Sequence, residues 1–197
     1  MKLYFSPTSP YVRKVSVTAI ELGIKLEAET IAVHAMPSDY GKINPVNRIP
    51  ALRLDDGSMM FDSRVICEYL DTLHGSRLLP PAGPGRWQVL KLQVLGDGIL
   101  DAAVPRMAEA ARPPAQQSPA RLAEYERSIR QTLDALELAV GDLAGLNIGT
   151  IAIGCALGYL DFRFAGDEWR KGRPALARWY EEFSRRPSMA ATMPKSP

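Results

Sequence analysis

Met1-Lys-Leu-Tyr-Phe-Ser-Pro-Thr-Ser-Pro-Tyr-Val-Arg-Lys14 decides the fold. Leu3-Tyr4-Phe5 is a short apolar run, read with Lys2 as a strand, and it ends in a turn rich in serine and proline. From Pro10 the spacing of Val12, Val15, Ala19 and Leu22 predicts a helix that stops at Gly23. Ser9 stands at its N-cap and Pro10 at its first helical position, each a preferred residue there. The segment therefore reads as strand, tight loop and helix, with a hydroxyl at the helix start. The amides and positive dipole end of such a helix attract anions, a thiolate among them.

Working outward, Glu27 to Val33 reads as a second strand. Residues 34–48 are irregular, with one helical turn near Asp39 to Ile43. Ile49-Pro-Ala-Leu-Arg-Leu54 is a third strand, Asp55-Asp-Gly57 a hairpin turn, and Ser58 to Phe61 the returning strand. Asp62-Ser63 then caps a helix to about Leu73, with Val65, Ile66, Tyr69, Leu70 and Leu73 on one face. Leu79-Pro-Pro-Ala-Gly-Pro-Gly85 packs three prolines and two glycines into seven residues and reads as an interdomain linker. Beyond it every pattern is helical: Trp87 to about Ala111, Ala120 to about Ala144, an almost wholly apolar Thr150 to Phe164, and Pro174 to Ser184. The expected organisation is an α/β domain over residues 1–76, a linker over 77–86 and an all-helical domain over 87–197.

The 197 residues carry 24 basic and 22 acidic side chains, for a net charge of +2. That balance argues against a dedicated nucleic-acid binder, which concentrates excess positive charge. No stretch approaches the roughly 20 apolar residues of a membrane span, and no secretory signal pattern opens the chain. Cys67 and Cys155 sit in apolar helical patterns, which fits buried reduced thiols and a cytoplasmic location. No C-x-x-C or cysteine–histidine cluster is present, so no metal is expected. His34 and His74 lack ligand spacing and receive no role.

Two short motifs admit both a structural and a functional reading. Pro50 at a strand start satisfies the rule that proline cannot donate to a ladder. As a cis residue it would leave the backbone of Ile49 to pair with an extended peptide ligand. Asp62-Ser63 is a sound N-cap. It is also chemically suited to a ligand end carrying both an ammonium and a carboxylate, Asp62 answering the first and the Ser63 hydroxyl and amide the second.

Three segments, Ser9-Pro-Tyr-Val-Arg-Lys14, Asn44-Pro-Val-Asn-Arg-Ile-Pro-Ala-Leu52 and Phe61-Asp-Ser-Arg-Val-Ile-Cys-Glu-Tyr-Leu70, stand in an order that resembles the cytosolic glutathione S-transferases, bacterial serine-type members especially. The resemblance covers nearly the whole chain. It implies a thioredoxin-like α/β domain followed by an all-α helical bundle, a homodimer, and glutathione as co-substrate without a metal. It places the Ser9 hydroxyl on the glutathione sulfur and Ile49, ahead of cis Pro50, on the cysteinyl backbone. Asp62 and Ser63 take the γ-glutamyl end, with Asn47 and Arg64 matching positions that touch glutathione in some classes. Asp97 resembles an acid that reaches the γ-glutamyl amine across a dimer interface. Tyr11, Arg106, Met107, Tyr159 and Phe162 are the expected lining of a pocket for a hydrophobic electrophile.

The implied reaction is conjugation of the glutathione thiolate to that electrophile, a detoxifying transfer; peroxide reduction and dehalogenation would use the same site. Ser9-Pro-Tyr-Val12 reads like a glutaredoxin C-P-Y-C loop with both cysteines lost, so exchange through a protein disulfide is disfavoured. A free thiol ionises near pH 8.5, and lowering that by about two units needs roughly 2.7 kcal/mol. One charge-assisted hydrogen bond of about 1.5–3 kcal/mol and a helix end of about 0.3–1 kcal/mol supply it. Two alternatives stay open: a non-catalytic interaction module of the stringent-starvation type, and a ligand carrier. The sequence also departs from the family at the buried helix, where Thr150 is followed by Ile151-Ala-Ile153 and the acid of the usual capping box is missing.

Overall fold

The computed structural model describes residues 1–32 and 36–194; Val33 and His34 lie outside them. Four strands, β1 (Lys2–Phe5), β2 (Glu27–Thr30), β3 (Ala51–Arg53) and β4 (Met59–Met60), form one sheet in the order β2-β1-β3-β4. β1 runs parallel to β2 and antiparallel to β3, and β3 is antiparallel to β4. Helix α1 (Pro10–Leu22) makes the crossover from β1 to β2, and α2 (Ser63–Thr72) follows β4. The helices after them are α3 (Pro84–Ala110), α4 (Pro119–Leu138), α5 (Ile148–Arg163), α6 (Pro174–Ser184) and α7 (Pro187–Ala191). A small mixed sheet with its helices, followed by a helical domain, is the architecture anticipated for the chain.

The described chain divides into two compact units. The first comprises Met1–Arg86 together with the C-terminal segment from Pro187, and the second Trp87–Arg186. The return of the C-terminal segment to the first unit differs from the expected grouping of 87–197. Specific bonds account for it: Arg13 Nη2 donates to the Met189 carbonyl at 3.0 Å, and Ser188 Oγ donates to Glu21 at 2.5 Å. Leu78 and Leu79, read as linker, are buried because the two oxygens of the buried Asp71 carboxylate accept their amides at 2.8 Å each.

In the first unit the core is Leu3, Tyr4, Val12, Val15, Ala51, Leu52, Ile66 and Leu70. Tyr4 meets Tyr40 edge to face at 5.9 Å, and burial pushes the Tyr40 hydroxyl up to about 12. The face of α2 is rotated from the expected one. Ile66, Cys67 and Leu70 are inside, while Val65 and Leu73 are about half exposed. Asp71 lies on the same buried side, where its carboxylate accepts the Leu78 and Leu79 amides.

In the second unit α5 is buried along nearly its whole length. Gly96 of α3 and Gly149 of α5 let the two helices approach until a Cβ would collide. A Cβ at Gly96 would lie 2.6 Å from the Ala152 backbone, and one at Gly149 would lie 2.5 Å from Leu92 Cβ. A Cβ at Gly98, two residues from Gly96, would meet only open space. The capping box at α5 is present after all, one turn earlier than expected. Asn147 is the N-cap, and Thr150 supplies the returning hydroxyl in place of an acid.

Candidate functional site

The sheet register brings three segments to one edge of the first unit. Tyr4 pairs with Ala51, so the turn after Phe5 runs beside Ile49-Pro50. Leu52 pairs with Met60, so Phe61 and Asp62 continue along the other side of Pro50. β1 leads into α1 at this edge and β4 leads into α2, so both helices begin there.

Ser9 is the N-cap of α1, in extended backbone geometry, and is partly exposed. Its amide donates to the Ser6 carbonyl at 3.2 Å, which closes the turn. Its Oγ accepts from the Val12 amide at 3.3 Å. Among the described residues the hydroxyl proton of Ser9 has no acceptor. The site therefore holds a donor with unused capacity at the positive end of a helix. Tyr11 is half-buried and engaged within the chain.

Ile49-Pro50 is cis. Its loop is held from below. Asn44, buried, donates from Nδ2 to the Arg48 carbonyl at 2.7 Å and accepts the Val46 amide at 2.9 Å; the Tyr40 hydroxyl donates to the same Arg48 carbonyl at 3.2 Å. Asn47 sits at the exposed tip with φ of 55°, a left-handed conformation that asparagine tolerates better than most residues. Asn44 thus supports the loop rather than facing a ligand, a role the sequence motif alone did not reveal.

Asp62 caps α2, accepting the Arg64 amide at 2.7 Å, and remains exposed. Ser63 is buried, yet its hydroxyl has no protein partner among the described residues. Arg64 is exposed and engaged within the chain. Ser9, Ile49-Pro50 and Asp62-Ser63 are thus brought to one edge, where Ile49, Pro50 and Ser63 are buried, Ser9 is partly exposed and Asp62 is exposed.

The second-unit candidates behave differently. Asp97 is fully buried and engaged within the chain, whereas a contact across an interface needs an exposed carboxylate. Arg106 is held by Asp167 and by Glu126 at 2.8 Å, and it stacks 4.4 Å over the Phe164 ring. Burial opposes its charge, but the two carboxylates outweigh that and strengthen it. It faces a cleft of about 260 Å³ lined only by residues of the helical unit. Burial raises the Tyr159 hydroxyl, Arg163 opposing, while Arg163 covers the Phe162 ring at 4.2 Å. Arg106 thus lines a cleft of the helical unit, Tyr159 is buried and Met107 is half-buried.

Among the described residues no group of three or more His, Cys, Asp or Glu is placed to hold a metal ion. Nor is any helix among them long and apolar enough to cross a membrane. His74 is exposed, its Nδ1 3.2 Å from the Leu70 carbonyl.

Comparison with known proteins gives the family. Residues 3–81 match the model of the glutathione S-transferase N-terminal domain, and residues 119–182 that of its C-terminal domain. A glutathione transferase family member from Pseudomonas fluorescens Pf-5, solved with bound glutathione, superposes with a TM-score of 0.93 at 44% identity, covering 99% of each chain. The GST-like protein YibF of Escherichia coli K12 is 38% identical over 98% of both chains. A stringent starvation protein A homolog of Pasteurella multocida is 30% identical over 49% of this chain and 47% of its own. With both domain models matched in order and a relative 38% identical over 98% of the chain, the chain belongs to the glutathione S-transferase family.

Proposed function

We propose that the protein is a serine-type glutathione transferase that binds glutathione at the edge formed by Ser9, Ile49-Pro50 and Asp62-Ser63. The carrying observation is the Ser9 hydroxyl, which accepts a bond from the helix while its own proton is unclaimed. That proton is directed by chemistry to an acceptor brought from outside, and a thiolate sulfur at a helix N-terminus is such an acceptor. The glutathione-bound Pseudomonas relative supports the choice of tripeptide.

In this mechanism the extended tripeptide pairs with the backbone at Ile49. Asp62 takes its ammonium, and the α2 amides with the Ser63 hydroxyl take its carboxylate. Asn47 and Arg64 flank these groups. The thiol loses its proton to water, Ser9 donates to the sulfur anion, and the sulfur attacks an electrophilic carbon, displacing a leaving group or adding to a double bond. The protein works as a homodimer in this reading.

A second reading, a non-catalytic interaction module, is favoured by the half-chain likeness to the stringent starvation protein A homolog. Calorimetry with glutathione and conjugation of chlorodinitrobenzene separate the two. Binding with turnover supports the transferase, binding without turnover a carrier, and neither supports the module.

A further inference from the structure

The C-terminal segment returns to the helix that carries Ser9 and grips one residue of it. Arg13 lies one turn beyond Ser9 on α1, on the same helical face by periodicity, and is only 6% exposed. Its Nη2 donates to the Met189 carbonyl at 3.0 Å and its Nε to Thr192 Oγ1 at 3.4 Å. Both acceptors are neutral. Nη1 is buried without any hydrogen-bond partner. Among the described residues no carboxylate forms an ion pair with Arg13.

A buried cation with only neutral acceptors is unfavourable, and proteins rarely keep one without use. The grip is built to hold it. Met189 is fully buried, Ser188 is tied to Glu21, and Thr192 Oγ1 donates to the Ser188 carbonyl at 2.8 Å. The charged groups on neighbouring elements are already engaged. On α1, Lys14 and Glu21 have partners. Around α2, Asp62 caps Arg64, Arg64 is engaged, Glu68 pairs with Arg86 at 2.7 Å, and Asp71 binds the Leu78 and Leu79 amides. The described part of α7 carries no charged side chain. Arg13 is therefore an unneutralised positive charge one turn from the serine, shielded from water.

We infer that Arg13 is a positioning residue for the thiolate site: its guanidinium, locked by the C-terminal segment, favours the ionised form of a thiol held beside Ser9. The inference rests on the reading of Ser9 given above. The ionisation releases the thiol proton to bulk water, and no other bond changes. A fixed charge in partly desolvated surroundings acts over several ångströms, which lets Arg13 work without touching the sulfur.

The test is a pH titration of glutathione bound to the full-length protein, followed by thiolate ultraviolet absorbance, with glutathione affinity and melting temperature measured alongside. Arg13→Met removes the charge and the anchors. Arg13→Lys keeps the charge but loses the fork that reaches both acceptors. Arg13→Met should raise the ionisation midpoint of the bound thiol by about one pH unit, while Arg13→Lys holds it within about 0.3; both lower the melting temperature. Should Arg13→Met not fold, Arg13→Gln, which keeps neutral donors for the Met189 carbonyl, carries the same expectation. Thr192→Val, which loosens the lock alone, should move the midpoint upward by a smaller amount. An unmoved midpoint in the neutral variants makes Arg13 a clamp only and overturns the inference. An unmoved midpoint in Thr192→Val removes the C-terminal segment from it. Failure of the wild-type protein to bind glutathione is a separate outcome that sinks the reading of Ser9 itself, and this inference with it.

Discussion

Two helices of this molecule begin with the same kind of cap and use it in opposite ways. At α5, Asn147 and Thr150 satisfy one another. The Asn147 amide donates to Thr150 Oγ1 and the Thr150 amide to Asn147 Oδ1, both at 2.9 Å, and the Thr150 hydroxyl turns toward the carbonyls of Asn147 and Gly145. Thr150 is wholly buried. At α1, Ser9 offers one long acceptor contact and keeps its proton free, partly exposed. A saturated, buried cap stabilises a helix and has nothing left for a ligand. An unsaturated one at the edge of a sheet stabilises its helix less and keeps a donor for chemistry.

Ser9→Ala tests the sharpest side of that contrast. Losing one hydrogen bond to a charged group, about 1.5–3 kcal/mol, should slow conjugation of chlorodinitrobenzene by roughly 10- to 150-fold at fixed pH. Glutathione affinity, measured by calorimetry, should change by less than about threefold, because the contacts proposed for the tripeptide's ends and backbone lie elsewhere along the edge. The melting temperature should hardly move, since the contact to Val12 is long. An unchanged rate would strip Ser9 of its role and leave the two caps equivalent.

Gly149→Ala should produce the opposite pattern. The added Cβ meets Leu92 Cβ at 2.5 Å and the Val89 carbonyl at 2.6 Å, and neither is the end of a flexible side chain. Overpacking of this kind destabilises by about 1–3 kcal/mol. The denaturation midpoint should fall while the rate per folded molecule stays near wild type. A normal midpoint would mean that α3 and α5 separate freely, and that the buried cap is not held as tightly as its geometry requires.

The two caps were not equally legible in the sequence. Ser9-Pro10 is legible because a serine followed by a proline stands directly ahead of the helical spacing of Val12, Val15, Ala19 and Leu22. Asn147 does not, since the acid that usually marks such a box is absent and Thr150 looked like the cap itself. The missing signal was a hydroxyl serving where a carboxylate normally does. The strands, the hairpin at Asp55 to Gly57 and the order of helices followed from local periodicity and turn chemistry. What local pattern could not give was anything fixed by distant partners. The carboxylate of Asp71 binds a loop seven residues on, α2 is rotated about its axis, Asp97 is enclosed, and Met189 and Thr192 accept from Arg13. The residues proposed to face a ligand are easier to read than the residues that hold them, because a cap hydroxyl and a loop proline depend on near neighbours only.

Asn147→Ala sharpens the comparison from the structural side. The α5 cap loses the acceptor for the Thr150 amide, and a cap removal of this type lowers stability by about 0.5–2 kcal/mol. Because α5 is central to the helical unit, the loss should appear as a lower melting temperature, with the ionisation of glutathione bound to the first unit unchanged. Coupled loss of thiol ionisation would show that the buried cap also governs the site.

The smallest expected effect belongs to a third helix start, that of α4, and depends on pH. Glu109 accepts the Ser118 amide at 2.6 Å and Arg112 Nη1 at 3.1 Å, and these bonds, the amide first, hold its carboxyl below the usual range. The group is more readily protonated in the unfolded chain than in the folded one. Its contribution is therefore complete above the ordinary carboxylate range and is lost as pH falls through the lowered folded value. Glu109→Gln should lower the melting temperature slightly at neutral pH, and the gap to wild type should close as the solution is acidified below that range. A gap that stays constant down to the acid limit would assign the effect to packing of the side chain rather than to its charge. The start of α4 would then join α5 as a purely steric support, leaving α1 as the helix start among these three whose electrostatics matter.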